Sequence, residues 1–207
     1  MGPVETEFYN RTRRRFLFNI SVLANIPSIM ERGIICHDYA AKVQHQSVAM
    51  ESVQSRRAGV IVPNGMRLHA YANLYFDYHN PMLYKIQNQA DLICILAISA
   101  SVLDLPDCIV TDRNAAALYA MFYPAPVGIG CLDFKKIFAR DWNHPDQIEY
   151  REHKHIKCAE VLLPRLVPSE YIEGAYVVDE TAKKQMISAG FSKKIVPNAS
   201  VFYRKNG

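Results

Sequence analysis

No C-x-x-C pair occurs in the sequence, and the number of cysteines is odd. The five, Cys36, Cys94, Cys108, Cys131 and Cys158, stand singly. A disulfide framework or a thiolate zinc site is therefore not expected, and Cys94, Cys108 and Cys158 lie in apolar runs as buried, reduced thiols do. There is no G-x-x-x-x-G-K-[ST] loop, no G-x-G-x-x-G and no nucleophile elbow, which sets aside P-loop, dinucleotide-fold and α/β-hydrolase chemistry. The longest apolar run, Leu92 to Leu103, is too short to span a bilayer, and the N-terminal stretch through Phe16 has no apolar core of signal-peptide length. A soluble, cytoplasmic chain without a membrane partner is expected. Neither an internal repeat nor a low-complexity linker is present. The histidines show no metal spacing with a matching partner, so no metal is expected.

What is present fits one core. At 207 residues a single domain over 1–207 is expected. Half the residues are apolar and about a fifth are charged, a globular balance. The net charge of +4 and a pI near 8.7 permit a polyanionic partner without requiring one.

Along the chain, Arg11, Arg13, Arg14 and Arg15 precede a strand from Phe16 to Ser21. Ser21 is a candidate cap for a helix with Ile26, Ile29 and Met30 on its apolar stripe and Gly33 past its end. Residues Ile34 to Ser47 read as loop, Val48 to Arg57 as helix, and Leu68 to Phe76 as strand. Asp91 to Ser99 is continuously apolar, a strand buried on both faces. A short strand, Cys108 to Thr111, empties into a helix from Asp112 through Tyr119. Gly128 and Gly130 mark a loop, and Asp133 caps a helix through Ala139. After the charged stretch Glu149–His155 come strands at Ile156–Pro164 and Ile172–Val178. A helix over Asp179–Ser188 stops near Gly190, and Ile195–Val196 and Val201–Tyr203 are extended. Strands outnumber helices without regular alternation, which implies an α+β fold with mainly antiparallel pairing.

Two places carry chemistry. Between Val53 and Tyr84, the adjacent Arg56 and Arg57 are followed by a Pro63-Asn64-Gly65 turn and then Tyr71, Tyr75, Tyr78 and Tyr84. A planar cationic fork beside flat aromatic faces suits an anionic, nucleotide-like ligand; the same pattern also suits a helix end and a half-buried strand. Further on, strand alternation puts Ile156, Cys158, Glu160 and Leu162 on one face. A carboxylate among those apolar neighbours is paired, hydrogen-bonded or open to a cleft, because burying it alone costs several kcal/mol. Such a position is a functional candidate unless the end of the strand is simply exposed.

In order, the chain carries N-I-S-V-L-A-N-I-P-S-I-M-E-R-G, Q-S-R-R, Y-F-D-Y-H-N-P-M-L-Y, V-T-D-R-N, D-W-N-H-P and K-C-A-E-V-L-L-P. With these motifs it resembles, over nearly its whole length, the DarT family of toxins that ADP-ribosylate DNA bases with NAD. The resemblance implies an ADP-ribosyltransferase fold, a split, mainly antiparallel β-sandwich with peripheral helices, and NAD as co-substrate in the cleft between the sheets. It implies a base of single-stranded DNA as acceptor, release of nicotinamide, and a cognate antitoxin of the ADP-ribosyl-glycohydrolase type. By the match, Arg57 is the catalytic arginine and Glu160 the transferase glutamate, with Asp141 to Ala159 as the substrate-recognition loop. Asn19, Ser21 and Asn25 line the nicotinamide end, with Tyr71, Tyr75 and Tyr84 around the same cleft.

The sequence departs from the thymidine-modifying branch at Asn19 and Asn114, where that branch has histidines. Asparagine still hydrogen-bonds NAD but carries no proton, so thymine and guanine both stand as acceptors. RNA or protein as acceptor, or a non-catalytic nucleic-acid-binding relative, are the alternatives. Candidate nucleic-acid contacts are Arg56, Arg151, His153 and Lys154. Trp142, the only tryptophan, either stacks on a base or anchors its loop.

Overall fold

The computed structural model describes residues 1–47 and 51–203. It begins with helix α1 (Pro3–Thr12), whose buried face is only Val4 and Phe8, too sparse a stripe to announce itself in the sequence. Strand β1 (Phe16–Val22) follows as expected. Ser21 does not cap the next helix, α2 (Ile26–Arg32). It is still in β1, where its hydroxyl donates to Asn19 Oδ1, and Asn25 holds the cap position with Pro27 in the first turn. Gly33 ends α2 at φ 81°, where a Cβ would lie 2.3 Å from the Val167 carbonyl, so glycine is required twice over.

The stretch expected to be loop contains β2 (Ile34–Ile35) and α3 (His37–Ala40). Helix α4 (Glu51–Ala58) lies within the expected helix, whose first residues, 48–50, fall outside the described residues. The expected strand at Leu68 opens with a 3₁₀ turn over Leu68–Ala70 and becomes β3 (Tyr71–Tyr75). Asn80 then caps α5 (Pro81–Lys85), its Oδ1 accepting the Met82 and Leu83 N–H groups at 2.9 and 3.1 Å.

Strand β4 (Ile93–Ser99) is buried on both faces. Ile93, Ile95 and Ala97 pack with Phe18, Ile20 and Leu83, while Cys94, Leu96 and Ile98 join the main core with Leu17, Phe8 and Leu74. Beyond β5 (Ile109–Thr111) there is no helix over Asp112–Tyr119. Tertiary bonds capture that backbone as turns: Met121 N–H to Asp112 Oδ1, Asn114 N–H to the His155 carbonyl and Ala115 N–H to Glu160 Oε1, all at 2.9 Å. Conversely, the two glycines expected to mark a loop lie in α6 (Ala125–Cys131), which follows β6 (Phe122–Pro124). Gly128 is there for proximity, since a Cβ would sit 2.2 Å from Val110 Cγ2.

Asp133 caps α7 (Phe134–Ile137), two residues shorter than expected. The charged stretch is helix α8 (Gln147–Ile156), not extended chain. Asp146 accepts the Ile148 and Glu149 N–H groups at 2.8 and 2.9 Å, and His153, Lys154 and His155 sit at the negative end of the helix dipole. The expected strand therefore loses Ile156–Ala159, and β7 is Glu160–Pro164. β8 (Leu166–Val167), β9 (Ile172–Val177), α9 (Glu180–Ser188, capped by Asp179) and β10 (Lys194–Pro197) complete the order. Val201, expected to be extended, ends a 3₁₀ turn over Ala199–Val201.

Eight strands run β10-β9-β4-β1-β3-β7-β5-β6, with β2 and β8 as a separate pair. Only β10–β9 is parallel, so the class is α+β with mainly antiparallel pairing, as expected. The sheet is split in its middle. β1 pairs with β4 over seven residue pairs but with β3 at one, Phe18↔Tyr75. Past that point the two halves diverge, and the gap between them is where the site lies. Among the described residues, no helix is long and apolar enough to cross a membrane.

Candidate active site

A cleft of about 840 Å³ opens over the split, within the range of roughly 300–1,000 Å³ typical of small-molecule sites. β1 turns Asn19 and Ser21 into it, and Asn19 Nδ2 reaches across the gap to the Asn73 carbonyl at 3.2 Å. Asn25 lines the same end. Its side-chain amide is already matched to the Gln46 backbone, donating at 2.7 Å and accepting at 2.9 Å, so it ties the chain around Gln46 to the cleft wall.

At the base lie Arg57 and Glu160, from α4 and from the first residue of β7. Arg57 Nη1 donates to both carboxylate oxygens, at 2.9 and 3.0 Å. Ala115 N–H adds a third bond to Oε1 at 2.9 Å, and the Glu160 N–H is held by Thr111 Oγ1 at 3.0 Å. The turns at Asp112–Tyr119 exist in part to deliver that Ala115 donor. Glu160 has no exposed surface and Arg57 is 7% exposed. Burial works against the guanidinium charge, but Glu160, followed by Tyr75, outweighs it and raises Arg57 above its ordinary value. Glu160 itself is not on the cleft surface, because Arg57, which is, roofs it. The carboxylate is therefore neither exposed nor unpaired. It is a buried, hydrogen-bonded acid one guanidinium away from the cleft.

Tyr75 lies opposite Glu160 in the β3–β7 register. Burial, with Glu160 next, pushes its hydroxyl far above the usual phenol range, so it is a fixed hydrogen-bonding group rather than an acid. Tyr71 is buried on the cleft wall, its hydroxyl accepting the Met66 N–H at 3.2 Å and pinning the Pro63–Gly65 turn. Tyr84 projects half-exposed from α5, and Asn114 also lines the cleft.

Of the expected nucleic-acid contacts, Arg56, Trp142 and Lys154 reach the cleft, and Arg151 is exposed on α8 away from its lining. His153 is a correction. It is 7% exposed, and its two ring nitrogens meet His144 at 2.7 Å and the Lys136 carbonyl at 3.0 Å, so it fastens α8 to α7 and is not presented to a phosphate. The period of α8 places it inward with Ile156.

Three features escape a linear reading. Lys157 is 1% exposed and donates to Asp77 Oδ2 at 2.9 Å and to the Ile137 and Ala139 carbonyls at 2.8 Å each. It thereby fastens the chain leading to Trp142 against the Asp77–Asn80 corner. Second, His79, Tyr84, Trp142 and Tyr203 gather at one end of the cleft. His79 was legible only as part of the Y-F-D-Y-H-N-P motif, and Tyr203 had no signal. Third, His37, Asp38 and His69 come within 4.8 Å of one another at the rim. The two imidazoles stack at 4.0 Å with 25° between planes, which sets their in-plane lone pairs side by side instead of converging on an ion.

A family model described as "ssDNA thymidine ADP-ribosyltransferase, DarT" matches residues 18–203. The chain is 32% identical over 183 residues to the DNA ADP-ribosyl transferase of Thermus aquaticus, covering 83% of this chain and 79% of that one. It is 29% identical over 208 residues to a DNA ADP-ribosyl transferase–DNA ADP-ribosyl glycohydrolase fusion protein of Thermosipho africanus, covering 94% of this chain and 51% of the fusion, so it spans about half of that relative's length. Against the solved Thermosipho africanus DarTG in complex with ADP-ribose the TM-score is 0.79 at 26% identity, covering 94% of this chain and 52% of that chain. Thermus sp. 2.9 DarT in complex with ADP-ribosylated ssDNA shares the fold, with a TM-score of 0.80 at 24% identity over 92% of this chain and 97% of that one.

Proposed function

The chain belongs to the DarT family, and we propose that its cleft takes NAD as co-substrate and transfers ADP-ribose to a base of single-stranded DNA, releasing nicotinamide. The observation that carries the proposal is the Arg57–Glu160 pair. These residues are 103 positions apart in sequence and meet at 2.9 Å beneath a cleft of dinucleotide size. Asn19 and Ser21 give the amide and hydroxyl that fit the nicotinamide end, and Arg57 gives planar donors for the pyrophosphate.

During transfer the bond from ribose C1′ to the nicotinamide nitrogen breaks, and its electron pair leaves with neutral nicotinamide. A bond from C1′ to a base nitrogen forms, and that nitrogen's proton passes to the Glu160 carboxylate or to solvent. Positive charge builds on the ribose, and the Glu160 carboxylate would stabilise it once Arg57 no longer covers it, an effect worth a few kcal/mol. Contact requires Arg57 to turn from the carboxylate toward the pyrophosphate, so substrate binding itself uncovers the acid. The likeness to the fusion protein favours an antitoxin that removes the modification. Lys154, Arg56 and the aromatic end of the cleft would hold the strand, and an unstacked base reaches the site more readily than a paired one.

The test is labelled NAD with separate pools of single-stranded DNA, RNA and protein. Label should enter DNA, and Glu160→Gln, which keeps the shape and the Ala115 bond, should reduce it by at least about 100-fold. Undiminished transfer by folded Glu160→Gln, or label entering only RNA or protein, refutes the proposal.

A further inference from the structure

We propose that His155 takes the proton that the acceptor base gives up and passes it to solvent, which leaves Glu160 to the ribose. The inference deepens the function proposed above and rests on it for the identity of the reaction. Five imidazoles line the cleft, those of His37, His45, His69, His79 and His155. Four of them are engaged. His37 and His69 stack on each other, His45 Nδ1 meets the Val43 carbonyl at 3.1 Å, and His79 packs with Trp142 and Tyr203. His155 is exposed, and its ring has no hydrogen-bond or ring partner among the described residues. A substrate in the cleft can meet this imidazole without displacing another contact.

Its place follows from the end of α8. His153 and Ile156 turn inward, which leaves His155 on the outer face of the last turn. The His155 carbonyl accepts the Asn114 N–H at 2.9 Å, and the next residue, Ala115, donates to Glu160 Oε1 at 2.9 Å. The helix end is thus fastened to the turn that holds the acid. The charges that bear on the ring are Arg113 from the turn after β5, Arg56 from α4 and Lys154 from α8 itself. Asp112 and Glu152 are engaged by Arg113, at 3.0 and 3.8 Å. Partial burial, followed by those cations, holds His155 below its ordinary value, so at neutral pH the ring offers a lone pair. Weak basicity is no handicap at this step. The base nitrogen bonds to C1′ with its own electron pair, and its N–H is then far more acidic than an imidazolium. A ring that is already unprotonated accepts that proton. The same cations favour its release to water, which restores the ring.

The test is single-turnover transfer from labelled NAD to single-stranded DNA between pH 5 and 9, with the affinity of the full chain for a labelled oligonucleotide measured alongside by anisotropy. The parent rate should fall, with the slope of one proton, below about pH 6.5, as the ring becomes protonated. His155→Ala removes an exposed ring without hydrogen bonds and should fold as the parent does. At pH 7.5 it should transfer at least about 100-fold more slowly and lose the acid limb, yet bind the oligonucleotide within about 3-fold of the parent. Added imidazole should restore its rate at least about 10-fold and do nothing for Glu160→Gln, a split that a structural role or a DNA contact does not produce. Transfer by His155→Ala within about 3-fold of the parent, the same acid limb in both proteins, or a loss that imidazole does not repair overturns the proposal. A parent that labels no DNA removes the function proposed above and this inference with it, whereas an active parent with an equally active variant removes His155 alone.

Discussion

Lys157→Met should destabilise the protein by about 4 kcal/mol. The ammonium is buried and holds one carboxylate and two carbonyls at 2.8–2.9 Å. Removing it leaves Asp77, itself 5% exposed, as an uncompensated charge, and breaking a buried pair in this way costs about 3–5 kcal/mol. The two freed carbonyls add to that cost unless water reaches them. For a chain of this length 1 kcal/mol corresponds to about 2–4 °C, so calorimetry should show the melting temperature falling by roughly 8–16 °C. Asp77→Leu combined with Lys157→Met replaces the pair by apolar groups and should recover most of the loss, because the intact pair is worth little against a packed apolar one. A single variant melting within about 2 °C of the parent, or a double variant as unstable as the sum of the singles, refutes the reasoning. Trp142, whose loop Lys157 fastens, should shift its emission to the red in the single variant.

Arg57→Lys keeps a cation over Glu160 but loses the planar fork, so it should melt close to the parent and lose at least about 100-fold in transfer to DNA. The thiols make a pH prediction. Burial pushes Cys94, Cys108 and Cys158 up to about 12, whereas an unfolded thiol titrates near 8.5. Between those values the unfolded chain releases protons that the folded chain keeps, so stability falls as pH rises, by up to about 1.4 kcal/mol per pH unit for each thiol. Urea midpoints at pH 7, 9 and 10 measure this, and a flat profile contradicts the burial. In the native protein at pH 8, a thiol reagent should modify the exposed Cys131 before the buried cysteines.

The amino-acid order alone determined the strands that stand out as short apolar-rich runs. Phe16–Val22, Ile93–Ser99 and Ile172–Val177 need no partner to be recognised, and neither does the helix capped by Asp179. It also carried Arg57 and Glu160, as an arginine at a helix end and a carboxylate among apolar neighbours. Tertiary structure decided the rest wherever a local preference lost to a distant bond. Asp112–Tyr119 gives up a helix so that Ala115 can donate to Glu160, and Gly128 sits in a helix because Val110 leaves no room for a Cβ. The charged stretch before Glu160 is helical because Asp146 caps it, and that turns His153 inward. Side chains far apart in the chain, such as Lys157 with Asp77 and His79 with Tyr203, leave no linear trace. Their juxtaposition exists only after the sheet has split between β1 and β3 and Tyr203 has packed at the opening.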